Sequence, residues 1–175
     1  MRNKSNLLLA SLLCLLMAGV AGASSPPWLG DGVYTFDDSD PYFHENGIYD
    51  TATVNITGGS FGVLYAWGES TVNMTSGTAT TGIGARDNSI VNLYGGEILF
   101  LGVASTATVN MFVDNYEFNP DSYVDYDQIT GTWLNDNGSF EIYINEGDFQ
   151  YVNIVPEPTT FILLTAGSLL LRRKN

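Results

Sequence analysis

Thr53-Val54-Asn55-Ile56, Thr71-Val72-Asn73-Met74, Ile90-Val91-Asn92-Leu93 and Thr108-Val109-Asn110-Met111 are successive copies of one tetrapeptide. Their valines stand 18, 19 and 18 residues apart. A period that constant is the signature of a solenoid, in which each repeat is one rung of a stack. Other columns keep the same phase. Five residues after the valines stand Gly59, Gly77 and Gly96, and then Asp114, where the pattern ends. Six before stand Ile48, Ala66, Ala85 and Val103; eight before stand Asn46, Leu64, Ile83 and Leu101, of which Asn46 departs from the apolar set.

One rung can be built from these residues. Val54 and Ile56 alternate with Asn55, so the apolar pair faces inward and the amide outward. Gly58-Gly59 allows a sharp corner, because a residue without Cβ accepts positive φ. A second short strand near Phe61 to Trp67 then returns the chain past Gly68-Glu69 to the next rung. A single rung cannot bury its own face, whereas stacking at about 4.8 Å makes a continuous core. The expected fold is all-β: a short parallel β-helix or β-solenoid of about four rungs, roughly 20 Å tall.

A solenoid needs capped ends, since open edges pair with other chains. Val33 to Phe36 is the expected N-terminal cap. Gln128 to Leu134 and Ser139 to Asn145 alternate apolar and polar residues across Asn135-Asp136-Asn137-Gly138, an Asn-Gly turn. With Phe149 to Val155 they are expected to form an antiparallel three-stranded meander at the other end.

Both termini read as targeting segments. Arg2 and Lys4 precede an apolar stretch from Leu7 to Val20 and an Ala21-Gly22-Ala23 cleavage site, the order of a signal peptide. Cys14, the one cysteine, lies in the apolar stretch after Leu13, where a lipoprotein signal needs a small residue. It is expected to leave with the signal, so disulfide and thiolate chemistry leave with it. At the other end, Pro156-Glu157-Pro158 precedes an apolar run from Phe161 to Leu171 and the basic cluster Arg172-Arg173-Lys174. Prolines on both sides of the glutamate keep that segment extended. The basic cluster favours the cytoplasmic side of a bilayer, leaving Pro-Glu-Pro outside. The run itself rises only about 17 Å, short of the ~30 Å hydrocarbon layer.

The tail resembles the PEP-CTERM sorting tail of bacterial exported proteins, and the resemblance covers about the last twenty residues. It implies Sec-dependent export, transient anchoring in the inner membrane and processing by an exosortase, a membrane-embedded cysteine protease. Ser70 to Gly77 and Thr51 to Gly59 also resemble the tandem Ser-Thr-Val-Asn-Ile-Ser-Gly-Gly-like units carried by many such proteins. The resemblance therefore implies a surface-exposed solenoid and leaves its biochemical role open.

Charge narrows the partners. Five of the six basic residues lie in the two targeting segments. Between 24 and 155, Arg86 alone faces 18 acids, a formal charge of −17. Such a domain repels nucleic acid and anionic lipid. The expected division is 1–23 signal peptide, 24–46 N-terminal linker and cap, 47–115 solenoid, 116–155 β cap and 156–175 sorting tail, with a signal helix and a transmembrane-like helix at the two ends.

Chemistry is hard to assemble from what remains. His44, the single histidine, has no nucleophile at a recognisable spacing and reads as a surface or turn residue. Zinc needs more His or Cys than the chain has. Asp37, Asp38 and Asp40, and the second stretch Asp114, Glu117, Asp121, Asp125 and Asp127, offer oxygen ligands for calcium but match no calcium-binding loop. They read more simply as solvated loop carboxylates. Sugar-cleaving β-helix enzymes use acids too, yet lyases add a basic residue, and only Arg86 is available. Asn55, Asn73, Asn92 and Asn110 form an outward column that reads first as an amide ladder. With Tyr65 and Trp67 nearby, the same column is a candidate for weak sugar binding. Asn55, Asn73 and Asn137 open glycosylation-type sequons, which the resemblance to bacterial proteins lets be read as chance matches. The expectation is a non-enzymatic surface or extracellular-matrix protein with no cofactor and no nucleic-acid partner, or alternatively a polysaccharide-binding or polysaccharide-cleaving one.

Overall fold

The four tetrapeptides form the spine of a parallel ladder because each places two branched or long apolar side chains inward and one amide outward. A computed structural model of the chain describes residues 29–40, 42–104, 106–134 and 138–156. The signal segment with Ala21 and Ala23, the Asn135-Asp136-Asn137 turn, and the tail from Glu157 onward, including Pro158 and the Arg172-Arg173-Lys174 cluster, lie outside the described residues. So do both expected terminal helices. Among the described residues, no helix is long and apolar enough to cross a membrane.

The strands are β1 (Val33–Phe36), β2 (Phe43–Ile48), β3 (Thr53–Ala66), β4 (Thr71–Ala85), β5 (Ile90–Leu93), β6 (Glu97–Val103), β7 (Thr108–Tyr123), β8 (Tyr126–Trp133), β9 (Ser139–Asn145) and β10 (Val152–Val155). A 3-10 turn at Asp148–Tyr151 joins the last two. They make a β-solenoid of about four turns with two parallel ladders. In the first, Val54, Val72, Val91 and Val109 are register partners in sequence, with Asn55, Asn73, Asn92 and Asn110 beside them. All four valines are fully buried. The second ladder stacks β2, the later halves of β3 and β4, and β6. Its inward columns bring together Ile48, Ala66, Ala85 and Val103, all buried. Asn46, partner of Leu64 in the next strand, is buried as well.

Two stacked corners close each turn. Gly59, Gly77 and Gly96 have φ of 76°, 97° and 98°, so the glycine column serves the left-handed corner for which it was read. A Cβ at Gly77 would fall 2.6 Å from the Gly58 carbonyl oxygen. The other corner is left-handed at Asp50, Gly68 and Asp87, and it is followed by the buried small residues Ala52, Ser70, Ser89 and Ala107. Aspartate tolerates this conformation because its short polar side chain bonds locally; here Asp87 Oδ2 accepts the Gly68 amide at 3.2 Å.

The repeat stops where glycine gives way to Asp114. Without the corner, β7 runs straight on to Tyr123 and turns back at Asp125 (φ 68°) into β8. β8 pairs antiparallel with β9, and β9 lies parallel to β6 through Phe100–Tyr143 and Leu101–Ile144. The hairpin thus supplies the second-ladder strand that a fourth regular rung would have supplied. Trp133, buried against Phe140 at 4.4 Å between ring centres, donates its Nε1 hydrogen to the Gly96 carbonyl at 3.0 Å.

Of the expected three-stranded antiparallel meander, the β8–β9 pair holds and the third member fails. β10 runs parallel to β7, pairing Val152 with Val109, Asn153 with Asn110 and Ile154 with Met111. Val152-Asn153-Ile154 is a further copy of the repeat, displaced from the 18–19-residue period by the inserted hairpin. At the opposite end β1 pairs parallel with β3, Tyr34 beside Val54 and Phe36 beside Ile56. It caps the first ladder as expected.

Candidate functional site

The outward face of the second ladder carries the richest mixture of side chains. Reading across the strands by register, one outward column is Gly47, Tyr65, Gly84 and Gly102. Its neighbour is Glu45, Val63, Gly82, Phe100 and Tyr143. Gly82 and Gly84 on β4 and Gly102 on β6 line a hollow of about 480 Å³ on this face. That volume falls within the ~300–1,000 Å³ range of small-molecule sites.

Rings bound it on both sides. On one side Tyr65 lies over Gly84, so that a Cβ there would sit 2.6 Å from Tyr65 Cδ1. Trp67 stacks on Tyr49 with centroids 6.0 Å apart and is 6.4 Å from the Tyr65 ring. On the other side Phe100 packs against Tyr126 and Tyr143 at 5.2 and 5.7 Å. Polar groups sit among the rings. The guanidinium of Arg86, an exposed residue, lies 4.8 Å from the Trp67 centroid and 6.0 Å from that of Tyr65, a cation–π arrangement that holds the charge at the rim. Asp148 Oδ2 accepts hydrogen bonds from the Val103 amide at 3.2 Å and from Asn145 Nδ2 at 3.0 Å, and both side chains line the hollow.

The asparagine column is a hydrogen-bonded ladder. Each amide donates to the one before it: Asn73 to Asn55 at 2.9 Å, Asn92 to Asn73 at 2.8 Å and Asn110 to Asn92 at 2.8 Å. Asn153 extends it by donating to Asn110 at 3.1 Å. Amides whose Nδ2 and Oδ1 are both engaged along the stack have limited capacity left for a ligand. The column lies on the first ladder, whereas the hollow is on the second.

The first acidic stretch serves turns. Asp37 accepts from the backbone amide of Ser39 at 2.8 Å and from its hydroxyl at 2.5 Å; the hydroxyl contact is the main cause that holds its carboxyl below the ordinary range. Asp40 accepts the Asp37 amide at 2.7 Å, and Asp38 accepts the Gly59 amide at 2.7 Å, tying the N-terminal loop onto the first glycine corner. Asp31 is likewise held low, first by the Thr51 hydroxyl at 2.7 Å. Asp114, Glu117 and Asp125 are exposed on the hairpin, and Asp127 is buried where its Oδ2 accepts the Gly147 amide at 3.3 Å; the side chain of Asp121 lies outside the described residues. No group of three or more His, Cys, Asp or Glu among the described residues could hold a metal ion. His44 is exposed on β2, edge-on to Tyr42 at 5.0 Å. Pro156 is exposed and directly follows β10.

Sequence reading placed Tyr65 and Trp67 near one another but attached them to the asparagine column, and it considered Arg86 only as the one basic residue available to a lyase. It missed Gly84, Gly102, Phe100, Tyr126, Asn145 and Asp148. The signal for the glycines was present: seven residues before the repeat valines stand Gly47, Tyr65, Gly84 and Gly102. The contribution of β8 and β9 has no counterpart in the repeat. Compared with protein-family models, with curated proteins and with solved structures, the chain matches none.

Proposed function

We propose that this chain is an exported bacterial protein of the cell surface or extracellular matrix, sorted by an exosortase through its PEP-CTERM-like tail and acting by binding or by bulk rather than by turnover. The observation that carries the reading is the order of Pro156-Glu157-Pro158, the apolar run and Arg172-Arg173-Lys174 at the end of the chain. Its position fits delivery. Pro156 follows the last ladder strand directly, so a cut there would release the solenoid with its closing strand intact. The non-enzymatic half is supported by the employment of the polar columns: asparagines bond along the stack and loop aspartates bond turn amides.

On this reading the chain enters the Sec pathway, loses Met1 to Ala23, pauses in the inner membrane and is cut near the Pro-Glu-Pro segment. Intact-mass measurement on protein recovered outside the producing cells should show both Met1 to Ala23 and Phe161 to Asn175 missing. Exported protein that keeps its complete tail would contradict the sorting claim. A second reading, carbohydrate binding, is favoured by the ring-bounded hollow.

A further inference from the structure

We propose that the glycine-floored hollow of the second ladder is a binding site for a neutral oligosaccharide. The proposal deepens the binding half of the preceding reading and rests on it, while the sorting claim can fail without touching it.

Gly102 is a glycine that the fold does not explain. It has no left-handed φ, and a Cβ built there would meet only Asn145 Nδ2, at 3.6 Å. Ordinary van der Waals room is therefore available for a side chain, and neither the backbone nor the packing calls for its absence. In the interior of a strand glycine weakens the element, and it commonly marks a place where something approaches the backbone closely. Gly84 beside it lets the Tyr65 ring lie down on the sheet instead of standing away from it. The two positions are register partners; with Gly84 covered by the Tyr65 ring, Gly102 leaves bare backbone beside that ring, and Phe100 lines the same hollow.

A sugar ring has an apolar face of C–H groups and a rim of hydroxyls. It needs aromatic faces for the former and a few donors and acceptors for the latter. Tyr65, Phe100 and Tyr126 supply the rings; Arg86, Asn145 and Asp148 supply the polar groups around the same floor.

Charge selects the class. Arg86 is the single cation against 18 acids between 24 and 155, and Asp148 lines the same hollow. Screening over about 8 Å at physiological ionic strength weakens the distant acids, but Asp148 is too near to be screened away. A polyuronate brings its own negative charges toward that carboxylate. A neutral chain carries no such penalty, and Arg86 then donates to hydroxyls.

The test is calorimetric titration of the full chain, held in a detergent without a sugar headgroup, with cellohexaose, mannohexaose and xylohexaose as neutral probes and hexagalacturonate as the anionic contrast. At least one neutral hexamer should bind, with an affinity that barely changes from low to high salt. Gly102→Leu, which covers that backbone, should weaken it at least about tenfold, or 1.4 kcal/mol, with the melting temperature unchanged. If that variant melts early, Tyr65→Ala and the exposed Arg86→Gln take its place and should each weaken binding. Undiminished binding in the well-folded variants would overturn the proposal, as would binding of hexagalacturonate alone or of none of the probes.

Discussion

Asn92 sits at the middle of a column whose members are each donor to one neighbour and acceptor to the next. Its Nδ2 donates to Asn73 and its Oδ1 accepts from Asn110, both at 2.8 Å. Asn153, at the end, makes a single such bond and is exposed. A net contribution of ~0.5–1.5 kcal/mol per bond makes the interior position the more costly one to lose. Asn92→Ala should lower unfolding free energy by about 1–3 kcal/mol and Asn153→Ala by less than about 1 kcal/mol, read by denaturant melts of the two variants side by side. Equal losses would mean that the amides stabilise the fold singly rather than through the stack. The sequence made this column legible because the Val-Asn pair recurs at fixed spacing. It hid the last member, because an inserted hairpin puts Val152 43 residues after Val109 in the chain while leaving it next door in space.

At the level of the strand and its corner, position-specific backbone conformation decides what can be substituted. Gly77 and Gly147 both have positive φ, 97° and 81°. They differ in surroundings: a Cβ at Gly77 meets the Gly58 carbonyl oxygen of the rung beside it at 2.6 Å, whereas nothing lies within 4 Å of one at Gly147. Gly147→Ala should cost only the left-handed penalty, ~1–2 kcal/mol. Gly77→Ala should cost visibly more, since the rungs must also separate, and the shortfall should appear as a larger drop in melting temperature. These corners were readable from three glycines in phase. The second corner was legible at Gly68-Glu69 alone and not as a column, because Asp50, Gly68 and Asp87 share a conformation without sharing an identity. The end of the solenoid was legible in Asp114, yet the direction of β10 was not: alternation along Val152 to Val155 fits a parallel or an antiparallel neighbour equally well.

At the scale of the molecule, one stacking rule produces both surfaces of interest. Stacking the valines in register aligns the asparagines on one ladder and sets Tyr65, Gly84 and Gly102 side by side on the other. Strand β8, strand β9 and the 3-10 turn after it then complete the hollow with Tyr126, Asn145 and Asp148. Those residues are distant from the repeat in sequence, which is why the column reading found half a site. Charge follows from the same layout: acids sit on turns and on the hairpin, where they bond backbone amides or face water, and the core keeps its apolar columns. The most direct test of in-register stacking is a set of proton NOEs in the isotopically labelled protein. Asn110 should show contacts to both Asn92 and Asn153, and the Tyr65 ring should show contacts to the Gly84 Hα protons. Absence of the Asn110–Asn153 contact together with an antiparallel pattern for β10, or a Tyr65 ring remote from Gly84, would contradict the stack and the hollow built on it.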